Sequence, residues 1–123
     1  MGRAQKREYY RLEASSTPDW VRLLGPRDTV IDAIDARILD VSATGLRLHV
    51  PHGVITPETR LEVRFRVGDE AFSARGTVMW VEVSEFTKTQ LAGVLFDDNP
   101  RVRQRLVRAI YDQQRDQLRR RTV

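Results

Sequence analysis

The chain has 123 residues, of which 41% are hydrophobic, so it can bury one core and is too short for two domains of ordinary size. It contains no cysteine, which excludes disulfides and thiolate metal sites and fits a reducing compartment. No stretch is long and apolar enough to cross a bilayer, and no apolar segment follows the charged N-terminus, so we expect a cytoplasmic protein.

The formal net charge of +4 is unevenly distributed along the chain. Residues 1–99 carry 13 basic and 15 acidic side chains, whereas residues 100–123 carry eight Arg and two Asp. Of the 21 basic residues, 19 are Arg, which can reflect genome composition or the recognition of phosphate and guanine by planar guanidinium groups.

Residues 1–11 are polar and Arg-rich, and we expect a flexible arm there because so polar a segment cannot bury enough surface to order itself. Over residues 12–98 we expect a β-barrel, since short segments of strand character alternate with turn residues. The segments lie at 20–24, 31–39, 46–50, 61–67, 72–83 and 91–96. Period-two alternation is clearest in RLEVRFRV, which indicates a strand with one face exposed to water.

Residues 99–121 have the pattern of a closing helix. Asn99 can cap its first turn, and Pro100 suits the first helical position. An apolar stripe follows, formed by Val102, Leu106, Ile110 and Tyr111. Beyond it only Leu118 continues the stripe, so we expect the last turns to be exposed, frayed or packed against a partner.

The stretch ILDVSATGLRLHV at 38–50 contains two apolar strand fragments separated by a polar break. The break can be a simple turn, because Asp40 or Ser42 can hydrogen-bond its own backbone and Gly45 can adopt a positive φ. The same residues can also form a binding site. The local pattern alone allows both interpretations.

Nothing in the sequence has the pattern of a catalytic centre. There is no Ser/His/Asp set and no glycine-rich phosphate loop, so we do not expect an enzyme. The two histidines, His49 and His52, flank Pro51, and we expect a strand residue and a turn residue there and not a metal site. We therefore expect neither a metal nor a cofactor.

Three features together resemble the PilZ domain family. Arg7 and Arg11 are spaced RxxxR before the first expected strand, and Asp40, Ser42 and Gly45 form the DxSxxG of DVSATG. In addition, LAGVLFDD at 91–98 is similar to the family's last strand, and the closing helix also fits. The resemblance covers nearly the whole chain.

This resemblance implies a mainly β fold, a six-stranded antiparallel β-barrel with a C-terminal α-helix, that binds cyclic di-GMP and regulates a protein partner in motility, exopolysaccharide or biofilm output. Arg7 and Arg11 match guanine edges and phosphates as bidentate forks. Asp40 can accept from guanine N1 and N2, Ser42 can offer its hydroxyl, and Gly45 permits close backbone approach.

Two further residues are possible ligand contacts. Trp80 is near where some family members place a residue against guanine, and either stacking or ordinary packing would suit an indole. In the family, an arginine at the position of Lys6 is associated with two stacked ligands per domain and an apolar residue with one. Because a lysine cannot stack on guanine as a guanidinium does, we expect one ligand.

A small β-barrel that binds nucleic acid through its basic C-terminal helix is the competing interpretation. The strands lack aromatic residues interleaved with basic ones, so nucleic acid is not the expected ligand. The protein effector has no signature in the sequence, and the exposed end of the helix leaves a homo-oligomer open.

Overall fold

A computed structural model describes residues 12–51 and 55–122, without the side chains of residues 13–15, 121 and 122. Eight strands, one 3-10 turn (Pro26–Asp28) and one long helix, α1 (Pro100–Thr122), make up the fold. The strands are β1 (Leu12–Ser16), β2 (Trp20–Leu24), β3 (Val30–Ile34), β4 (Arg37–Val41), β5 (Gly45–Val50), β6 (Arg60–Val67), β7 (Glu70–Val83) and β8 (Gln90–Phe96).

All eight strands form one antiparallel sheet in the order β1-β4-β5-β8-β7-β6-β2-β3. The expected six-stranded closed barrel is not confirmed: β1 and β3 are the two ends of this order, and no pairing between them closes the sheet within the described residues. The strand count differs for two reasons: β1 lies outside the six expected segments, and the segment expected at 31–39 is interrupted at Asp35 and Ala36. Its first half pairs with β2 and its second half with β1 and β5, at opposite sides of the sheet.

The alternation expected in β6 is confirmed, because Leu61, Val63, Phe65 and Val67 are all buried. Phe65 is the centre of an aromatic cluster: its ring centroid lies 5.7 Å from that of Phe72 and 6.0 Å from that of Phe96. These rings form part of the core between the sheet and α1.

The start of α1 follows the sequence pattern. Asn99 Oδ1 accepts a hydrogen bond from the Val102 backbone N–H at 3.3 Å, and Pro100 is the first helical residue. Leu106 and Ile110 are buried against the sheet, but Tyr111, expected in the same stripe, is 54% exposed. The apolar contact of the helix with the core therefore ends at Ile110.

Arg105 attaches the helix to β7. Its guanidinium donates to Glu70 at 2.7 and 2.9 Å and lies 4.9 Å from the ring centroid of Phe72. The cation therefore contacts both a carboxylate and an aromatic face, which orients α1 over the Phe65 cluster.

None of the described helical segments is long and apolar enough to span a membrane.

Candidate functional site

The DxSxxG segment forms the connection between β4 and β5. Asp40 is near the end of β4 and Gly45 begins β5. The backbone N–H of Ser42 donates to the Gly45 carbonyl at 2.8 Å, which closes a tight turn. The polar break is therefore a hairpin turn, which is compatible with both interpretations of the sequence, a simple turn and a binding site.

The Ser42 hydroxyl faces into this turn. It donates to the Gly45 carbonyl at 3.3 Å and accepts from the Thr44 backbone N–H at 3.3 Å. Ser42 is only 3% exposed, so its hydroxyl holds the turn in shape in this state. A contact of this hydroxyl with a ligand stays a prediction.

Asp40 is fully buried and is paired across the hairpin with Arg47. The Nε of Arg47 donates to Asp40 Oδ2 at 2.6 Å, and its Nη2 contacts the same oxygen. The Arg47 side chain is 40% exposed, so the buried carboxylate fixes a guanidinium whose other edge reaches the surface. Only the hairpin register identifies Arg47 as a partner of Asp40.

Gly45 is required by close packing and not by a turn conformation. A Cβ atom at this position would lie 2.1 Å from the Val94 carbonyl oxygen on β8. The positive φ suggested by the sequence is absent, since Gly68 is the one glycine with a positive φ among the described residues. The strand pairing of β5 with β8 brings the Val94 carbonyl against this backbone.

Trp80 lies on β7, two strands away from the turn, and is 38% exposed. Its indole covers Gly93 of β8, because a Cβ at Gly93 would lie 2.2 Å from the Trp80 Nε1. An irregularity in the β7–β8 register between Val78 and Trp80 places the indole opposite this glycine. The glycine leaves the space that the ring needs in order to lie flat on the sheet.

A cleft of about 190 Å³ joins these residues across three strands. We call it the motif cleft. It is lined by Thr44, Gly45, Leu46, Arg47, Met79, Trp80, Gly93, Val94 and Leu95. The structure thus brings Gly45 and Trp80, which the sequence singled out separately, into one cleft with Arg47.

A larger cavity of about 460 Å³ lies between the same turn and the start of α1. Its charged lining consists of three carboxylates and two guanidinium groups, from Glu62, Asp97, Asp98, Arg75 and Arg103. Arg75 is 3.4 Å from Glu62, and Arg103 pairs with Asp98. A dianionic ligand would meet excess negative charge there, so the motif cleft is the better candidate for one.

A charge network beside this cavity connects distant parts of the chain. Arg60 donates to Asp28 at 2.9 and 3.2 Å and to Asp97 at 2.6 and 2.9 Å. The hydrogen bond from Arg60 lowers the pKa of the Asp28 carboxyl below its usual value. The network holds the turn before β3 against the end of β8.

The remaining predicted site residues, Lys6, Arg7 and Arg11, lie outside the described residues. Within the described ranges, no three His, Cys, Asp or Glu side chains are grouped so that they could hold a metal ion.

The family model described as the PilZ domain matches residues 5–112. No curated protein sequence matches the chain. A solved structure of the PilZ domain of Escherichia coli YcgR with c-di-GMP is similar to it with a TM-score of 0.65 and 16% identity, over 96% of this chain and 98% of the other.

Two longer proteins also have this fold. Escherichia coli YcgR in complex with c-di-GMP matches with a TM-score of 0.69 and 17% identity over 95% of this chain. The Bacillus subtilis inhibitor of motility MotI/DgrA matches with a TM-score of 0.66 and 15% identity over 89% of this chain. The chain spans about half the length of each, 50% and 52%.

Proposed function

Because the chain belongs to the PilZ domain family, a family of ligand-binding modules and not of enzymes, we propose that it is a receptor for cyclic di-GMP. The motif cleft is the proposed binding site. The observation that supports this choice is the meeting of the DxSxxG turn, Arg47 and Trp80 in one cleft. Two of the similar structures are described as containing cyclic di-GMP, which favours the same ligand class.

The chemistry of the cleft suits a ligand with two guanines and two phosphates. The partly exposed indole of Trp80 offers a stacking surface for guanine. Arg47 offers guanidinium donors to a phosphate or to the O6 and N7 acceptors of guanine. When the ligand engages Arg47, the carboxylate of Asp40 becomes available to the N1 and N2 donors of guanine.

The N-terminal arm completes the proposed site. Arg7 and Arg11 supply two further guanidinium forks for the phosphates and guanine edges, and Lys6 adds a third positive charge. Binding orders the arm over the cleft, and the surface so created regulates a protein effector. Motility is one proposed output, alongside exopolysaccharide and biofilm formation, since the similar Bacillus subtilis protein is described as an inhibitor of motility. We also propose a cytoplasmic location, which fits the absence of cysteine.

Calorimetric titration tests the ligand. Full-length protein is titrated with cyclic di-GMP and, separately, with a random duplex oligonucleotide at low and high salt. Cyclic di-GMP is expected to give a saturable isotherm. The oligonucleotide is expected to bind only through the charge of the basic helix α1, so that its affinity falls steeply as salt rises. An absence of cyclic di-GMP binding together with specific oligonucleotide binding would instead establish the nucleic-acid interpretation.

Matched arginine variants test the site. Arg11→Ala is expected to weaken cyclic di-GMP binding by at least about tenfold, the loss typical of a charge-assisted bidentate contact. Arg22→Ala is the control, because Arg22 lies on β2, 3.8 Å from the Trp20 ring and away from the motif cleft. Equal affinity of the two variants for cyclic di-GMP would show that the arm is not part of the binding site.

A further inference from the structure

The outer face of α1 carries an apolar ridge that no other described part of the chain covers. Val107, Tyr111 and Leu118 are 38%, 54% and 59% exposed. With the half-buried Gln114 they follow one another at intervals of four, three and four residues. These are the intervals of the a and d positions of a coiled-coil seam, with Val107 and Gln114 at d and Tyr111 and Leu118 at a.

This ridge is distinct from the face that packs on the sheet. Leu106, Ala109 and Ile110 are the buried residues of α1. At 100° per residue, all four ridge residues lie within about 60° of one another, and the buried Leu106 and Ala109 are turned by about 100° and 160° from Val107. The buried Ile110, about 60° from Val107, lies at the border between the two faces. The helix therefore presents one apolar strip to the core and a second, narrower one to the outside.

A column of arginines runs beside the outer ridge. Arg101, Arg108 and Arg115 recur at every seventh residue, at the e position of each heptad, and all three are exposed. Arg101 and Arg108 form no salt bridge with any residue that the structure describes. Arg115 has a contact of 3.4 Å with Asp112 and lies 5.8 Å from the Tyr111 ring centroid. Positive charge thus lines the open side of the seam along its whole length.

The charge pattern selects the kind of partner. A second copy of α1 offers this Arg column no acidic partner: an antiparallel copy would place it beside another Arg column, and a parallel copy would place it beside Arg103, Ile110 and Gln117. The strip is also too narrow for a helix that lies in a bilayer surface, which needs an apolar face of about 100° or more. A helix with its own apolar seam and acidic flanking residues fits both properties.

We propose that the outer ridge of α1 docks an acidic amphipathic helix of a partner protein as a two-stranded coiled coil. Tyr111 and Leu118 enter the partner's seam, and the Arg101–Arg108–Arg115 column pairs with Glu or Asp side chains at the partner's flanking positions. This surface is separate from the motif cleft, none of whose lining residues belongs to α1.

The test uses two fluorescent synthetic peptides of three heptads, both with Leu at a and d. One has Glu at every e and g position and the other has Lys. Full-length protein is expected to bind the Glu peptide at least about tenfold more tightly than the Lys peptide, with an affinity that falls as salt rises. Equal affinity for the two peptides, or no binding of the Glu peptide, would overturn the proposal.

Variants separate the seam from a general attraction of opposite charges. Leu118→Ala is expected to weaken Glu-peptide binding by about tenfold without lowering the thermal unfolding midpoint, because Leu118 is exposed. Arg115→Glu is expected to shift the preference toward the Lys peptide, whereas Arg120→Glu, an equal charge change on another face, should retain the preference for Glu. If Arg120→Glu reduced the affinity for the Glu peptide as much as Arg115→Glu does, the result would contradict docking along a seam.

Two other occupants of the ridge have their own signatures. A dimer in sedimentation that Leu118→Ala dissociates would assign the ridge to a second copy of the chain. Tighter binding to phosphatidylserine vesicles than to the Glu peptide, lost in Leu118→Ala, would assign it to a membrane surface. Either result would overturn the proposal, and neither depends on whether cyclic di-GMP binds.

Discussion

Asp40 and Arg47 face each other across the β4–β5 hairpin, with the carboxylate fully buried and the guanidinium reaching the surface. The buried charge is compensated by a partner that belongs to the motif cleft. The pair therefore couples the stability of the hairpin to the chemistry of the proposed site.

This coupling predicts an asymmetric double-mutant cycle. Arg47→Ala removes a guanidinium that pairs with a buried carboxylate and should reduce the free energy of unfolding by about 1–3 kcal/mol, less than for a fully buried pair because Arg47 is partly exposed. Arg47→Ala combined with Asp40→Asn should recover part of that loss. Urea unfolding at neutral pH measures the free energy of unfolding of the two single variants and the double variant. Strictly additive effects would show that the two side chains do not interact.

Gly45→Ala should disrupt the site through the backbone. The new Cβ would lie 2.1 Å from the Val94 carbonyl, so β5 and β8 would have to separate, at a cost of about 1–3 kcal/mol. Gly25→Ala is the matched control, since a Cβ there meets mainly the exposed side chain of Ile31. Thermal unfolding compares the two, and an equal or smaller loss for Gly45→Ala would contradict the close packing.

The Arg60 network predicts a pH dependence of stability. Because the hydrogen bond from Arg60 lowers the Asp28 pKa in the folded state, this contribution is complete above the unfolded-state pKa of about 4 and is lost as pH falls through the folded pKa. Asp28→Asn should thus reduce stability near pH 7 and make little difference at about pH 2. Chemical unfolding across this range provides the measurement, and a difference independent of pH would contradict the linkage.

Much of the fold could be predicted from local patterns. The alternation of β6, the cap at Asn99 and the position of the β4–β5 turn are all set by residues close together in sequence. The count of strands could not be predicted in this way. The break at Asp35 matters only once the two halves of the segment pair at opposite sides of the sheet, and β1 was not among the expected segments.

The geometry of the candidate site follows only in part from local patterns. Gly45 and Trp80 were identified individually, but the reason for the glycine is the Val94 carbonyl, which β8 supplies from about fifty residues away. The partner of Asp40 requires the hairpin register, which pairs it with Arg47. Contacts between strands distant in sequence have no local signal.

Stoichiometry should depend on Lys6. An ammonium neutralises phosphate but cannot stack on guanine as a planar guanidinium does, so we expect one cyclic di-GMP per domain and a shift toward two in Lys6→Arg. Native mass spectrometry of both proteins at matched ligand concentration counts the bound molecules. Two ligands in the unmodified protein would show that an ammonium is sufficient.

The two tryptophans provide the most direct test of the proposed cyclic di-GMP site, because Trp80 lines the motif cleft while Trp20 lies on β2 beneath Arg22. Their indole N–H signals in a ¹H–¹⁵N spectrum, assigned with Trp20→Phe and Trp80→Phe, are followed during titration with cyclic di-GMP. We predict that the Trp80 signal shifts to saturation while the Trp20 signal stays in place. Saturable binding that leaves Trp80 unmoved, or that moves Trp20 instead, would contradict the account.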